Sequence, residues 1–264
     1  MMAVASPAPV RMGMRNLQAQ VLDSLGASIA SGQYPPGSAI PVEGDLCGRF
    51  GVSRTVVREV IKSLVAKGML TTGPKVGTRV CDASDWNWFD PQVVAWQAQS
   101  GLSKDVLRDL QELRRLIEPA AAGLAAQRAT ASDLSDLQDA YEGMREAVAS
   151  DGDYVSHDLR FHQGLLKASH NQMIRQMSRA MGALLLTSFE LSSRKPGGPA
   201  QSLPLHLAVL DAIRNRDPQA AIDASLQQID VAKSDLDLML LSKRKPPDLS
   251  SFSNRLMAAD SRRA

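Results

Sequence analysis

The sequence contains few cysteines and no long hydrophobic run. Its 264 residues include two cysteines, Cys47 and Cys81, without metal-ligand spacing, so they predict neither a disulfide framework nor a cysteine metal site. No segment approaches the roughly 20 uncharged apolar residues of a membrane span. The first residues, MMAVASPAPVRMGMRN, lack the apolar stretch of a signal peptide. We therefore expect a cytoplasmic protein that does not enter a membrane.

Charge is small overall but unevenly distributed. Residues 1–80 carry nine basic and four acidic side chains, a net charge of +5, whereas the remaining residues carry 21 basic and 24 acidic side chains, a net charge of −3. This asymmetry is expected when one domain binds a polyanion and the other does not. With 44% hydrophobic residues, the chain is long enough for two domains with separate cores.

Residues 15–80 predict a winged helix-turn-helix. Apolar residues at helical spacing indicate a first helix that stops at Gly32, and the following YPPGSAIP is a loop by its prolines and glycine. A short helix over 42–50, a turn at 51–53 and a helix from Thr55 are typical of a helix-turn-helix. Two threonine-containing segments around a GPKVG tip then predict a small β-hairpin, the wing.

The second helix of this motif carries the candidate DNA contacts. Arg54 and Arg58 are four residues apart and share one helical face, separate from an apolar stripe formed by Val57, Ile61, Leu64 and Val65. Two arginines can simply be solvated surface. In a helix-turn-helix, however, this end of the helix enters the major groove, where arginine binds guanine or phosphate. Ser53 is the predicted N-cap and a further candidate DNA contact. Lys75 at the wing tip could reach phosphate.

The pattern G-x-Y-x-P-G-x-x-I-P-x-E, followed by L-C-x-x-F-G-V-S-R-T-V-V-R-E-V-I-x-x-L-x-x-K-G and a glycine-rich wing, covers Gly32 to Val80. It resembles the DNA-binding domain of the GntR superfamily of bacterial transcription regulators. The resemblance implies that Arg54, Thr55 and Arg58 contact operator DNA. Gly44 stands where the fatty-acid branch of the family carries a further DNA-contacting arginine, so the operator sequence does not carry over.

The rest of the chain predicts a second, all-α domain. Residues 81–90, which begin CDASDWNW, have no apolar period and are expected to be a linker. Residues 91–242 show helical patterns that predict a bundle of six or more helices, with a kink at Pro119 and a loop at SSRKPGGPAQ. Residues 1–14 and 243–264 are expected to be disordered. The predicted fold is therefore mainly α.

Three residues of this bundle are candidate metal ligands. Asp158 and His162 are one turn apart on one helix, and His206 lies on a later helix. Mixed nitrogen and oxygen ligands suit Zn²⁺, Ni²⁺ or Mn²⁺. A hydrogen-bonded structural pair is the alternative interpretation of the Asp-x-x-x-His spacing.

Four segments of the second domain match a known pattern: RRLIEPAA, A-x-R-A-T-x-x-D-L, D-x-x-F-H and H-x-x-V-L-D-A-I-R-N-R-D. They resemble the FCD effector domain of the FadR-like branch of the GntR superfamily. The resemblance implies a divalent metal held by one aspartate and three histidines, next to a carboxylate effector. Asp158, His162 and His206 match three ligands, but Gln228 replaces the fourth. A neutral amide is a poor replacement, so the prediction extends to a hard cation or to no metal.

The same resemblance implies an effector. Arg114 matches the arginine that reaches into the pocket, where a guanidinium can form a bidentate pair with a carboxylate. The alternative is an ion pair with Glu118, one turn later. WNWFDPQVVAW, QRATASDL and SHDLRFHQGLLKASHN resemble a sugar-acid-responsive member of the branch, which implies an aldonate such as galactonate.

The predicted function is a homodimeric repressor, not an enzyme, that binds a pseudo-palindromic operator and is released by the acid. Two other functions remain open. The His157-Asp158 dipeptide is used by metal-dependent phosphohydrolases of the HD type, but these also need an upstream histidine, and none precedes His157. The chain could also be a constitutive DNA-binding dimer without ligand sensing.

Overall fold

The computed structural model describes residues 14–74 and 76–241. Contacts divide the chain into two units, one ending at Ser100 and the other beginning at Gly101. Helices dominate both, and the described residues form a single two-stranded sheet, so the mainly α prediction is confirmed. No helix in the described part of the chain is long and apolar enough to cross a membrane. The terminal segments expected to be disordered lie outside these residues, apart from Met14, which begins the first helix.

The N-terminal unit consists of α1 (Met14–Ala30), α2 (Glu43–Phe50), α3 (Arg54–Ala66), β1 (Leu70–Gly73), β2 (Gly77–Val80), a 3₁₀ turn (Ala83–Asp85) and α4 (Pro91–Ser100). Gly51 ends α2 in the left-handed region, with φ of 65°, a conformation that glycine adopts without steric penalty. Two residues later, the Ser53 hydroxyl accepts a hydrogen bond from the Val56 N–H and caps α3. These local signals produce the predicted helix-turn-helix.

The wing is an antiparallel hairpin. β1 and β2 pair in register from Leu70–Val80 to Gly73–Gly77. The loop before α2 adds to this sheet, because the Ile40 N–H donates to the Thr78 carbonyl at 3.1 Å. The winged helix-turn-helix is therefore confirmed.

The predicted linker packs onto the N-terminal unit. Trp86 and Trp96 are 6% and 2% exposed and belong to the core formed by α1, α2 and α3. Lys67 at the end of α3 forms an ion pair with Asp90, with Nζ 2.6 Å from Oδ2. The unit therefore continues through α4 to Ser100, whereas the sequence placed the boundary between residues 90 and 91. The two buried tryptophans explain the difference. Burying an aromatic ring strongly stabilises the packing of its segment, and a loop-like composition does not reveal this stabilisation.

Gly26 allows α4 to lie close to α1. A Cβ atom at this position would come within 2.6 Å of the Trp96 ring. No side chain larger than hydrogen fits there without moving Trp96. The position of α4 therefore depends on this glycine.

The C-terminal unit consists of six helices: α5 (Lys104–Arg128), α6 (Ala131–Ser150), α7 (Tyr154–Ala168), α8 (Gln172–Ser192), α9 (Gly198–Arg214) and α10 (Pro218–Leu241). α5 packs against α7 and α10, and α6 packs against α7 and α9. Small alanines of α5 and larger side chains of α6, α7 and α9 share one buried core: Ala122, Ala125, Ala126, Leu137, Met144, Phe161, Leu165, Val209, Leu210 and Ile213. The all-α bundle prediction is confirmed.

The long helix α5 continues through Pro119 to Arg128, as predicted. One detail of the bundle differs from the sequence prediction. α9 begins at Gly198, inside the segment predicted as a loop, because Gly197 takes a left-handed conformation and proline is accommodated in a first helical turn. This earlier start brings Gly198 and Pro199 to the wall of a cavity in the bundle.

Candidate functional site

The start of α3 presents an exposed polar face. Arg54, Thr55 and Arg58 are exposed, whereas the apolar residues of the helix that face the core are buried: Val56, Val57, Val60, Ile61 and Leu64. Val65, predicted to belong to the apolar stripe, is 38% exposed. Successive residues of a helix are rotated by about 100°, so Val65 does not share the buried face on which Leu64 lies. The predicted DNA-contacting side chains are therefore accessible to a ligand.

Arg58 is held by a neighbouring helix. Its Nε lies 2.9 Å from Oε2 of Glu43, the first residue of α2, and the two side chains are 61% and 35% exposed. An ion pair this exposed contributes roughly 0–1 kcal/mol to stability. Its main consequence is orientation, because it holds the guanidinium beside the first residue of α2.

The remaining two predicted DNA contacts have different outcomes. The hydroxyl of Ser53 is engaged as the N-cap of α3, so this residue has a structural role in the helix-turn-helix. Lys75 lies outside the described residues. The strand ends that flank it, Gly73 and Gly77, line a groove of about 460 Å³ together with Arg58. The wing therefore lies beside α3.

In the C-terminal unit, Asp158, His162 and His206 form a buried cluster. Asp158 Oδ1 lies 3.3 Å from His162 Nε2 and 2.9 Å from His206 Nε2, and one potential ligand atom from each residue lies within 4.8 Å of the others. α7 supplies the first two residues one turn apart, and α9 supplies the third. The structure thus brings together the three residues that the sequence placed in one cluster.

The other ring nitrogen of each histidine faces an acceptor. His162 Nδ1 lies 2.7 Å from Glu118 Oε2, and His206 Nδ1 lies 2.9 Å from the Ser202 carbonyl oxygen. Each Nδ1 therefore carries a proton, and each Nε2 points toward Asp158. Partners of this kind orient metal-ligating histidines in known sites.

Arg114 is joined to this cluster through Glu118. Its Nε donates to Glu118 Oε1 at 2.7 Å, and its guanidinium lies 4.8 Å from the centre of the Phe189 ring. Both ionic side chains are almost completely buried, at 1% and 0% exposure. The ion pair that the sequence offered as an alternative for Arg114 is therefore present, while Arg114 also lines the bundle cavity.

In this network, the effect of opposite charges and hydrogen bonds on the pKa values is larger than the effect of burial. Burial raises the pKa of Glu118, but the charges and hydrogen bonds of Arg114 and His162 lower it to about 2. For His162, burial lowers the pKa, but the Glu118 charge and hydrogen bonds to Asp158 and Glu118 raise it to about 9. Burial likewise raises the pKa of Asp158, and hydrogen bonds from His162 and His206 lower it below its ordinary value. In the absence of a cation, both carboxylates are ionised and His162 is protonated at neutral pH.

The cluster lines a cavity of about 40 Å³. Gln228, at the position of the fourth ligand expected from the resemblance, lines the same cavity and is 3% exposed. Neither polar atom of its amide has a hydrogen-bond partner among the described residues. A cavity needs roughly 10–15 Å³ to hold one water, so this one has room for water or an ion.

Sequence reasoning missed the residues that support the cluster. Glu118 was considered only as a partner of Arg114, yet it also contacts His162. Gln111 is equally buried, and its Nε2 donates to the Ser188 hydroxyl at 2.8 Å. Polar residues at positions 111, 114 and 118 recur with helical spacing, and this signal could have identified one buried polar face of α5.

The positions of His157 and Asp158 do not support the alternative of an HD-type hydrolase. The close contacts of the Asp158 carboxylate in the described residues are with His162 and His206, whereas the His157 ring packs near Gly143. The dipeptide is therefore split between two environments, as expected for adjacent residues of a helix.

Comparisons with known proteins agree with both units. Residues 17–80 match the family "Bacterial regulatory proteins, gntR family", and residues 109–230 match the FCD domain. The chain is 35% identical to the galactonate operon transcriptional repressor of Escherichia coli K12, over 80% of this chain and 92% of that protein. It is 31% identical to the uncharacterized HTH-type transcriptional regulator YieP of the same organism, over 80% of this chain and 91% of that protein.

A solved structure of Lar, which controls expression of the Listeria monocytogenes agr system, has the same fold, with a TM-score of 0.59 at 17% identity over 84% of this chain and 97% of that chain. The matched gntR family and both Escherichia coli relatives are bacterial transcription regulators. Together with the exposed arginines of α3 and the buried cavity of the bundle, these matches show that the chain belongs to the gntR family of bacterial regulatory proteins and is a DNA-binding transcription regulator with an FCD domain.

Proposed function

We propose that this regulator represses genes of sugar-acid catabolism and leaves its operator when its FCD unit binds a small carboxylate, an aldonate such as galactonate. The observation that carries the proposal is the buried Arg114 guanidinium at the wall of a cavity that also contains a potential cation site. Positive groups at one cavity favour an acid. The relative named as a galactonate operon repressor supports this class of acid.

Arg114 retains donors for such a ligand. A guanidinium has five N–H donors in a planar fork. Within the described residues, the contacts of Arg114 use three of them, two with Glu118 and one with Gln111. The remaining N–H groups can bind a carboxylate while Glu118 balances the charge.

The proposal includes a divalent cation at Asp158, His162 and His206, with Zn²⁺, Ni²⁺ and Mn²⁺ as candidates. Ligand atoms about 2.1 Å from one cation lie roughly 3.0–3.4 Å apart, close to the observed 2.9 and 3.3 Å separations. Each histidine would bind the ion through Nε2 in its neutral form, so the cation must displace the second ring proton of His162. A bound cation would supply positive charge for an effector oxygen. With Gln228 in place of a fourth strong ligand, water completes the coordination or a harder cation is preferred.

Effector sensing is tested by titrating the operator complex with galactonate, gluconate, glucuronate, lactate and octanoate. We expect an aldonate to weaken operator binding by about 5- to 150-fold, the usual range of allosteric coupling. Arg114→Lys keeps a charge beside Glu118 but loses the bidentate fork, so it should require at least tenfold more acid for release.

Arg115→Ala is the matched control for this experiment, because Arg115 is adjacent, half exposed and paired with Asp230. It should respond like the wild-type protein. If no acid releases DNA, the chain is a constitutive DNA-binding dimer and the sensing proposal is wrong. An unchanged response of Arg114→Lys would remove Arg114 from the effector site.

Removal of the cation is expected to weaken effector sensing and to leave DNA binding unchanged. His162→Ala should reduce the bound cation to background and weaken the effector response, because it deletes one of three ligands. Elemental analysis of protein purified without chelators measures the first effect, and anisotropy with labelled operator measures the second. His157→Ala, a half-buried histidine on the same helix, serves as the control. A normal effector response in wild-type protein without stoichiometric cation would show that the three residues are structural.

A further inference from the structure

Gln228 is a buried amide whose contacts within the protein are incomplete. It lies on α10 at 3% exposure, and neither Nε2 nor Oε1 has a hydrogen-bond partner in the described part of the chain. An unsatisfied buried polar group costs roughly 1–3 kcal/mol. Because buried amides in folded proteins are nearly always hydrogen-bonded, the missing partner is expected to come from the contents of the cavity that Gln228 lines.

The cavity combines two kinds of polar group. Arg114, the Asp158–His162–His206 cluster and Asp235, which pairs with Lys195, provide the charged part. The end of α8, the start of α9 and α10 contribute neutral hydroxyl and amide groups: Ser192, Ser193, Gln201, Ser202 and Gln228. A ligand that matches both parts carries a carboxylate and at least one hydroxyl, because a plain fatty acid would leave the Gln228 amide without a partner.

We infer that Gln228 is a specificity-determining residue that hydrogen-bonds a hydroxyl of a polyhydroxy acid. An amide both donates and accepts hydrogen bonds, and so does a hydroxyl, so one hydroxyl can satisfy Nε2 or Oε1. This inference rests on the proposed function and adds the selection of hydroxylated acids over acids of equal length without hydroxyls. A site built to bond a hydroxyl rejects the analogue that lacks it, because its own polar atoms then remain unpaired.

The same geometry predicts the stability of a variant. Gln228→Leu replaces two unsatisfied polar atoms by an apolar group of similar size, a change that is often neutral or stabilising in a protein interior. The melting temperature of the ligand-free variant should therefore be unchanged or higher. A residue retained only for structure would instead lower the melting temperature when replaced.

The experiment is isothermal titration calorimetry of the full chain with galactonate, gluconate and hexanoate, an acid of the same carbon number without hydroxyls. The wild-type protein should bind an aldonate more tightly than hexanoate. Gln228→Leu should weaken aldonate binding by about 10- to 100-fold, corresponding to one lost hydrogen bond with an unsatisfied ligand group, and leave hexanoate binding unchanged or tighter. Gln227→Leu changes the adjacent, exposed glutamine and should match the wild-type protein.

Three results would overturn the inference, and they are distinguishable. If Gln228→Leu binds the aldonate as well as the wild-type protein, Gln228 does not select the ligand, although the proposed function stands. If the variant loses bound cation and both kinds of acid together, Gln228 acts as a metal ligand through its amide oxygen. If the wild-type protein binds none of the acids, the proposed function fails, and this inference fails with it.

Discussion

Glu118→Ala is expected to lower the free energy of unfolding of the C-terminal unit by about 3–5 kcal/mol, the usual effect of breaking a buried ion pair. The variant leaves the Arg114 guanidinium without its counter-ion at 1% exposure and removes the acceptor of the His162 Nδ1 proton. Glu112→Ala, an exposed acid on the same helix, should change stability by at most about 0.5 kcal/mol.

The two units allow this effect to be located. All three tryptophans of the chain, at positions 86, 88 and 96, belong to the N-terminal unit. In urea denaturation, tryptophan fluorescence therefore follows that unit, while far-UV circular dichroism also follows the helices of the bundle. We expect Glu118→Ala to shift the circular dichroism transition more than the fluorescence transition. A shift below about 1 kcal/mol in the bundle would contradict the network as a source of stability.

Arg54→Ala and Arg58→Ala are each expected to weaken specific DNA binding by about 1–3 kcal/mol if the guanidinium contacts a base, which corresponds to about 5- to 150-fold in affinity. Both side chains are exposed at the start of α3, where a recognition helix meets base edges. For Arg58, the loss includes the orientation provided by Glu43. The measurement is fluorescence anisotropy with a duplex selected by the wild-type protein from a random library.

Arg108→Ala is the matched control, because this arginine is exposed on α5 in the other unit. It should bind the selected duplex like the wild-type protein. A duplex cut to one half-site should bind much more weakly, because we propose a homodimer with one recognition helix for each half of a pseudo-palindrome. Wild-type affinity in both α3 variants would place DNA contacts elsewhere on the N-terminal unit.

The winged helix-turn-helix was predictable because its signals are local. A glycine in a left-handed turn, a serine cap and apolar residues at helical spacing act within a few residues of one another, so they can be read without knowledge of the fold. The domain boundary was less accessible. Trp86 and Trp96 anchor residues 81–100 to the first unit, and composition alone cannot show which core receives a tryptophan.

By itself, the sequence determined the helix-turn-helix, the helical bundle and the pairing of Asp158 with His162, since residues four apart on one helix must share a face. His206 lies on another helix, and its place in the cluster was expected from the resemblance to the FCD domain. Only the tertiary structure decided that Glu118 joins Arg114 to His162 and that Gln228 remains without a hydrogen-bond partner among the described residues. The reason is physical: helical spacing specifies which side chains share a face, whereas burial, pKa and hydrogen bonding depend on the elements that pack against that face.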